Sequence, residues 1–164
     1  MNKSVATAYH QPGIKAIVYD IESVCRIAQN YINKTSSVKE NVTTYCGNMF
    51  SDSFPYCNDE KNGYQAIFFS NVFHDWNEEK CEYLMKKSFD SLPQNGVILI
   101  HEALLDDDGN GPLTAACYSF SMFLKSEGKQ FTFNELKTLL IKTGFKNIDL
   151  LPTYGIYSVV YGKK

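Results

Sequence analysis

Phe73-His74-Asp75-Trp76 follows directly on an apolar run, and its imidazole is the best-placed proton acceptor among the three histidines of this 164-residue chain. An unperturbed histidine titrates near neutral pH, so His74 is a candidate general base. The structural alternative is an imidazole bonded to backbone at a strand end. Glu102 closes the next apolar run, where a carboxylate could orient a neighbouring imidazole as in a His–Asp pair. Its plainer reading is a salt bridge or helix cap. Asp20 closes the first apolar run, where a carboxylate in a nucleotide-binding α/β fold takes ribose hydroxyls. A solvated helix cap explains it equally well, and no GxGxxG precedes it. His101 should face away from Glu102, because neighbours on a strand point to opposite faces. Asp75 lies three residues before Glu78, which is capping-box spacing, and Trp76 is expected to be a packing anchor. Tyr118, Phe120, Met122 and Phe123 could wall a pocket for a flat ligand, although at helical spacing some of them belong to a core.

Other chemistries are disfavoured. Five cysteines, an odd number with no CxxC spacing, argue against a disulfide framework or a zinc knuckle and for reduced thiols, so no metal is expected. Asp106-Asp107-Asp108-Gly109-Asn110-Gly111 resembles the start of a calcium loop, but its twelfth position is Cys117 rather than a bidentate Glu. Sixteen basic against eighteen acidic residues give a net charge of −2, the wrong sign for a phosphate-neutralising nucleic-acid binder. The expectation is therefore no nucleic-acid partner. No apolar run approaches a membrane span and the first residues form no signal peptide, so no membrane association and a cytoplasmic location are expected.

These residues need a scaffold, and the chain reads as an alternation of strands and helices. Strands are expected over 14–20, 41–45, 64–69 and 97–101, and a final antiparallel pair over 145–151 and 156–161. Helices are expected over 23–33, with Val24, Ile27, Ala28 and Tyr31 inward, and after Asp75, with Cys81, Leu84, Met85, Phe89 and Leu92 inward. Further helices follow over 112–125 and 133–143. Residues 46–63 read as a loop, and the apolar 64–69 run as a strand buried on both faces. The pattern implies an α/β fold with a mainly parallel sheet, whose ligands sit beyond the C-terminal strand ends. Asp20, Gly47-Asn48, the 70–75 segment and Glu102 all fall at such ends.

Taken together, FHDWNEEKCEYLMKK, GVILIHEALLDDDGNGPL and YSFSMFLKSEGKQFTFNELKTLLIKTGF resemble the C-terminal part of the S-adenosylmethionine-dependent O-methyltransferases. The group is the one containing the acetylserotonin, caffeate and bacterial polyketide enzymes. The resemblance covers nearly the whole chain and implies a class I methyltransferase (Rossmann-like) domain with S-adenosyl-L-methionine as cofactor. It makes His74 the base that deprotonates an acceptor hydroxyl, Glu102 its supporting carboxylate, and Gln130 the counterpart of a second flanking glutamate. Asp20 and Ile21 would lie at the cofactor ribose, and Gly47, Asn48 and Met49 beside the adenine. Ser70 and Asn71, where a Lys or Arg is usual, and Asp75 complete the implied cofactor contacts. Tyr118, Ser121, Met122 and Lys125 fall where an acceptor is bound. Asn48 replaces an Asp, and Gln130 carries no charge with which to stabilise an imidazolium.

The resemblance also implies an incomplete domain spanning 1–164. The helical dimerisation domain, the glycine-rich cofactor loop and the first strand of the fold have no counterpart. That strand is central, between the strands that here end in Asp20 and Ser70, and without it two apolar edges lack partners. The expectation is one chain of a split, heteromeric O-methyltransferase acting on a small aromatic acceptor, with a second polypeptide supplying the missing parts. The alternative is a non-catalytic methyltransferase-like subunit that binds or regulates a partner. A nicotinamide-binding half-domain is a third reading that the segments after residue 70 do not suit.

Overall fold

The computed structural model describes residues 11, 13–35, 37, 39–55 and 63–164. Cys57 and part of the expected 46–63 loop lie outside them. The chain divides into two compact units, residues 1–56 and 57–164.

In the first unit β1 (Ala16–Asp20) pairs in parallel with β2 (Val42–Cys46), and helix α1 (Glu22–Lys34) connects them. Ala28 and Ile32 of α1 close on Val18 and Val42, one from each strand. The expected inward face of α1 is corrected here. Cys25, Ala28 and Ile32 are buried, whereas Val24, Ile27 and Tyr31 are exposed. The Cys25 thiol donates to the Asp20 carbonyl, which turns that side of the helix onto the strand ends.

In the second unit β3 (Ala66–Ser70), β4 (Val97–Ala103), β5 (Lys146–Pro152) and β6 (Tyr157–Lys163) form one sheet in the order β3-β4-β6-β5. β3 and β4 are parallel, and β6 runs antiparallel to both β4 and β5, as the final hairpin required. Helices α2 (Glu78–Ser91), α3 (Leu113–Lys125) and α4 (Phe133–Lys142) complete the unit. Ile98, Ile100 and Val160 of the sheet, Leu84 and Met85 of α2, and Leu136 and Leu140 of α4 are fully buried.

β3 is not buried on both faces as its composition suggests: Phe68 is 43% exposed and Ala66 is exposed. The reason is its place at the sheet edge. Among the described strands only β4 pairs with β3, and only β2 pairs with β1. That is the pattern of a class I methyltransferase sheet without its central strand.

The start of α2 also differs from the capping-box expectation. Phe73–Asp75 forms a single 3-10 turn, with Asp75 N–H donating to Val72 O and Trp76 N–H to Phe73 O. The turn consumes Asp75, so the helix begins later, and the Asn77 side chain accepts the Lys80 amide at 3.0 Å instead. Helix α4 carries the true capping box, in which Thr132 and Glu135 satisfy each other's backbone amides.

Candidate active site

His74 is delivered by the turn that leaves β3. Asn71 adopts φ +54°, a left-handed conformation that asparagine tolerates better than most side chains. Its amide still donates to His101 O, so the chain leaves the sheet at that point and enters the 3-10 turn. Glu102 lies on neighbouring β4, on the face opposite His101, as strand alternation requires.

The two meet in the interior. His74 Nδ1 is 2.6 Å from Glu102 Oε2, and the residues are 3% and 1% exposed. The other carboxylate oxygen, Oε1, accepts the backbone amides of Val72 at 2.9 Å and Phe73 at 3.0 Å. Glu102 therefore fixes both the imidazole and the turn that carries it. An ionised carboxylate is acceptor-only, so Nδ1 holds the proton in this pair and Nε2 is the atom with a lone pair to offer. Nε2 lies 3.6 Å from Asp75 Oδ1. The Tyr118 ring, from α3, stands 5.3 Å from the imidazole, centre to centre.

Burial by itself would push the His74 imidazole below its ordinary pKa. The Glu102 hydrogen bond, with the charges of Glu102 and Asp75, outweighs burial and holds it above that value. Burial, followed by Tyr157, Asp75 and Glu102, pushes the Tyr118 phenol up and keeps it neutral.

The 126–132 segment presses on this pair. A Cβ on Gly128 would collide with the His74 carbonyl and stand 2.6 Å from the Trp76 amide nitrogen, so only glycine fits. Gln130 is completely buried, its amide donates to Ser119 Oγ at 3.1 Å, and its side-chain nitrogen and oxygen both lack a protein partner. Ser119 is the neighbour of Tyr118, so Gly128 and Ser119 bracket Gln130 beside the imidazole. On α3, Ser121 is half-buried, Met122 is buried and Lys125 is exposed.

The remaining expected residues belong to the first unit. Asp20 is exposed at the end of β1, and its Oδ1 accepts the Ile21 amide at 2.8 Å. Gly47 N–H donates to the Asp20 carbonyl at 3.0 Å, which joins the two strand ends. A Cβ on Gly47 would stand 2.7 Å from the Tyr19 ring, so this position too requires glycine. Asn48 Oδ1 accepts the Phe50 amide at 2.9 Å and leaves its side-chain NH₂ as the group presented outward. Met49 is half-buried. These atoms fit an adenosyl group in part: an open carboxylate oxygen for a diol, a flat glycine surface, and an amide donor. Sequence reasoning missed the amides of Val72 and Phe73, the close approach at Gly128, and the Ser70–His101 contact. Only the glycine left a trace in the sequence, within Gly-Lys-Gln.

Residues 2–146 match the family model described as the O-methyltransferase domain, and the chain belongs to that family. It is 35% identical over 153 residues to acetylserotonin O-methyltransferase from Bos taurus, a match covering 93% of this chain and 42% of that protein. Among solved structures it superposes on human N-acetylserotonin methyltransferase in complex with SAM with a TM-score of 0.83 and 29% identity, over 96% of this chain and 42% of the other. On an O-methyltransferase family 2 protein from Planctomyces limnophilus, in complex with apigenin, the TM-score is 0.88 and the identity 30%, over 98% and 46% of the two chains. The chain thus spans less than half the length of these relatives.

Proposed function

We propose that this chain is the larger part of the active site of an S-adenosyl-L-methionine-dependent O-methyltransferase acting on a small aromatic hydroxyl compound. The observation that carries the reading is the buried His74–Glu102 pair, with Nδ1 held by the carboxylate and Nε2 left as a base. S-Adenosyl-L-methionine, when bound, supplies an electrophilic methyl group. His74 Nε2 takes the proton of the acceptor hydroxyl, and Glu102 stabilises the imidazolium that results. General-base assistance of this kind contributes about 10²–10⁴ in rate, and alignment of the acceptor does much of the rest.

Asp20 and Ile21 hold the ribose, and Gly47, Asn48 and Met49 border the adenine. Ser70, Asn71 and Asp75 add contacts from the second unit. Tyr118, Ser121, Met122 and Lys125 line the acceptor side, and Gln130 bonds beside the base without adding charge. The domain is completed by a second polypeptide that carries a helical domain, a glycine-rich loop and the central strand. The unpaired edges of β1 and β3 among the described strands, and the greater length of the relatives, support that part of the reading.

A non-catalytic binding subunit is the competing reading, favoured by Asn48 and Gln130 standing where charged residues are usual. The discriminating experiment is native mass after co-expression with neighbouring reading frames, followed by a methyl-transfer assay on the assembly. A heteromer that methylates phenols, and loses that activity with His74→Ala, is the expected result. An inactive assembly, or one whose activity survives His74→Ala, would sink the catalytic reading. A stable assembly of this chain alone would sink the split-enzyme reading.

A further inference from the structure

On the face of β4 opposite Glu102, His101 is held by hydroxyls on both ring nitrogens. Nδ1 is 3.0 Å from Ser70 Oγ and Nε2 is 3.4 Å from Thr153 Oγ1. The ring stacks on Tyr157, with 5.0 Å between centroids and 4° between planes, and the Phe68 ring stands 6.2 Å away. The groups facing it are therefore Ser70 and Phe68 from β3, the titratable phenol of Tyr157 from β6, and Thr153 from the turn before β6.

The hydrogens in this chain can be assigned. A hydroxyl has one proton, and Thr153 Oγ1 gives its proton to the Tyr157 carbonyl at 2.8 Å. Toward His101 it can only accept, so Nε2 carries the hydrogen and the Nδ1 of neutral His101 is an acceptor. Ser70 then donates to Nδ1 and turns its lone pairs away from the ring. When His101 is protonated, Nδ1–H becomes a donor and Ser70 must accept. Its hydrogen then turns away from the ring, with a cation behind it that the Tyr157 face stabilises. One protonation event inverts the hydrogen-bonding sense of a side chain at the C-terminal end of β3.

We propose that His101 is a positioning residue for the cofactor: through Ser70 it sets whether the end of β3 offers an adenosyl ligand a hydrogen-bond donor or an acceptor. The inference rests on the reading above that Ser70 borders S-adenosyl-L-methionine. The acid form of the pair suits the acceptor nitrogens and carboxylate of such a ligand, so binding tightens as pH falls through the titration of His101.

The test is calorimetric titration of S-adenosylhomocysteine into the isolated assembly between pH 6 and pH 8.5, together with side-chain ¹⁵N NMR of the histidines. The neutral thioether avoids repulsion between a sulfonium and protonated His74. Wild-type affinity should strengthen by about three- to tenfold toward the acid end, the worth of one hydrogen bond. His101→Phe, which keeps the stack on Tyr157, and Ser70→Ala should remove that component, and any slope due to His74 should remain. At high pH the ring should be protonated on Nε2, and Thr153→Val should relax that preference. A slope unchanged in His101→Phe, or a high-pH tautomer protonated on Nδ1, overturns the proposal while leaving the cofactor reading intact. Failure of S-adenosylhomocysteine to bind at any pH overturns both.

Discussion

Glu102 serves His74 twice: Oε2 lies 2.6 Å from the imidazole Nδ1, while Oε1 receives the amides of Val72 and Phe73, the two residues preceding it. Orientation of the base and conformation of the turn that carries it therefore depend on one buried carboxylate. Charge-assisted bonds of this kind are shorter and stronger than neutral ones.

Glu102→Gln should lower methyl transfer by about a hundredfold or more, because the amide cannot hold the imidazolium or enforce one tautomer as a carboxylate does. With the carboxylate gone, burial dominates His74, so the pH–rate profile should also move to lower pH. Steady-state rates across pH in the assembled enzyme check both effects. Glu102→Ala should in addition destabilise the fold by about 3–5 kcal/mol, by leaving one half of a buried pair uncompensated, read by denaturant unfolding.

Activity should rise with pH through an apparent pKa above the usual histidine value, because only neutral His74 can accept a proton and its folded-state pKa is raised. Stability has the opposite dependence. A raised folded pKa contributes fully below the unfolded value of about 6.5 and is lost as pH rises through the folded one. Thermal melts of wild type and His74→Gln should differ most at acid pH and converge above that window.

Gly128→Ala should cost about 1–3 kcal/mol as an overpacking change and should lower kcat more than that loss explains, since the clash is with the His74 carbonyl itself. Comparing unfolding midpoints with rates at a temperature where the variant remains folded separates the two.

Gln130→Leu should raise stability by about 1–3 kcal/mol, because an apolar side chain of similar length replaces a buried amide with no partner on either end. The same change should impair acceptor binding or turnover. A variant both less stable and fully active would mean that the amide is satisfied within the folded protein.

Asn77→Ala should destabilise α2 by about 1 kcal/mol, whereas Asp75→Ala should leave helix stability nearly unchanged. Thermal unfolding of the two variants decides which residue caps the helix.

Much of the scaffold was legible from pattern. Alternating apolar runs and amphipathic stretches announced the parallel β3–β4 pair, the helices and the terminal hairpin, because side-chain periodicity is imposed by backbone geometry. Local competition was harder to read. Asp75 and Asn77 are both good caps, and the 3-10 turn at Phe73–Asp75 decided between them. The inward face of α1 could not be told from its apolar residues, since Val24, Ile27 and Tyr31 form as good a stripe as Cys25, Ala28 and Ile32. The buried stripe is the one that faces Val18 and Val42.

For the site, the sequence alone determined which residue types were on hand: His74 at the end of one strand, Glu102 at the end of another, and His101 on the opposite face. The family resemblance assigned them roles. Only the tertiary structure decided that Glu102 reaches the imidazole and its turn together, that Gly128 has no room for a side chain, that Gln130 is buried without a partner, and that Thr153 dictates the tautomer of His101. Each of these is a contact between segments far apart in the chain. Sequence spacing carries information about neighbours along one helix or strand, and such contacts depend on how different elements are brought to the same place.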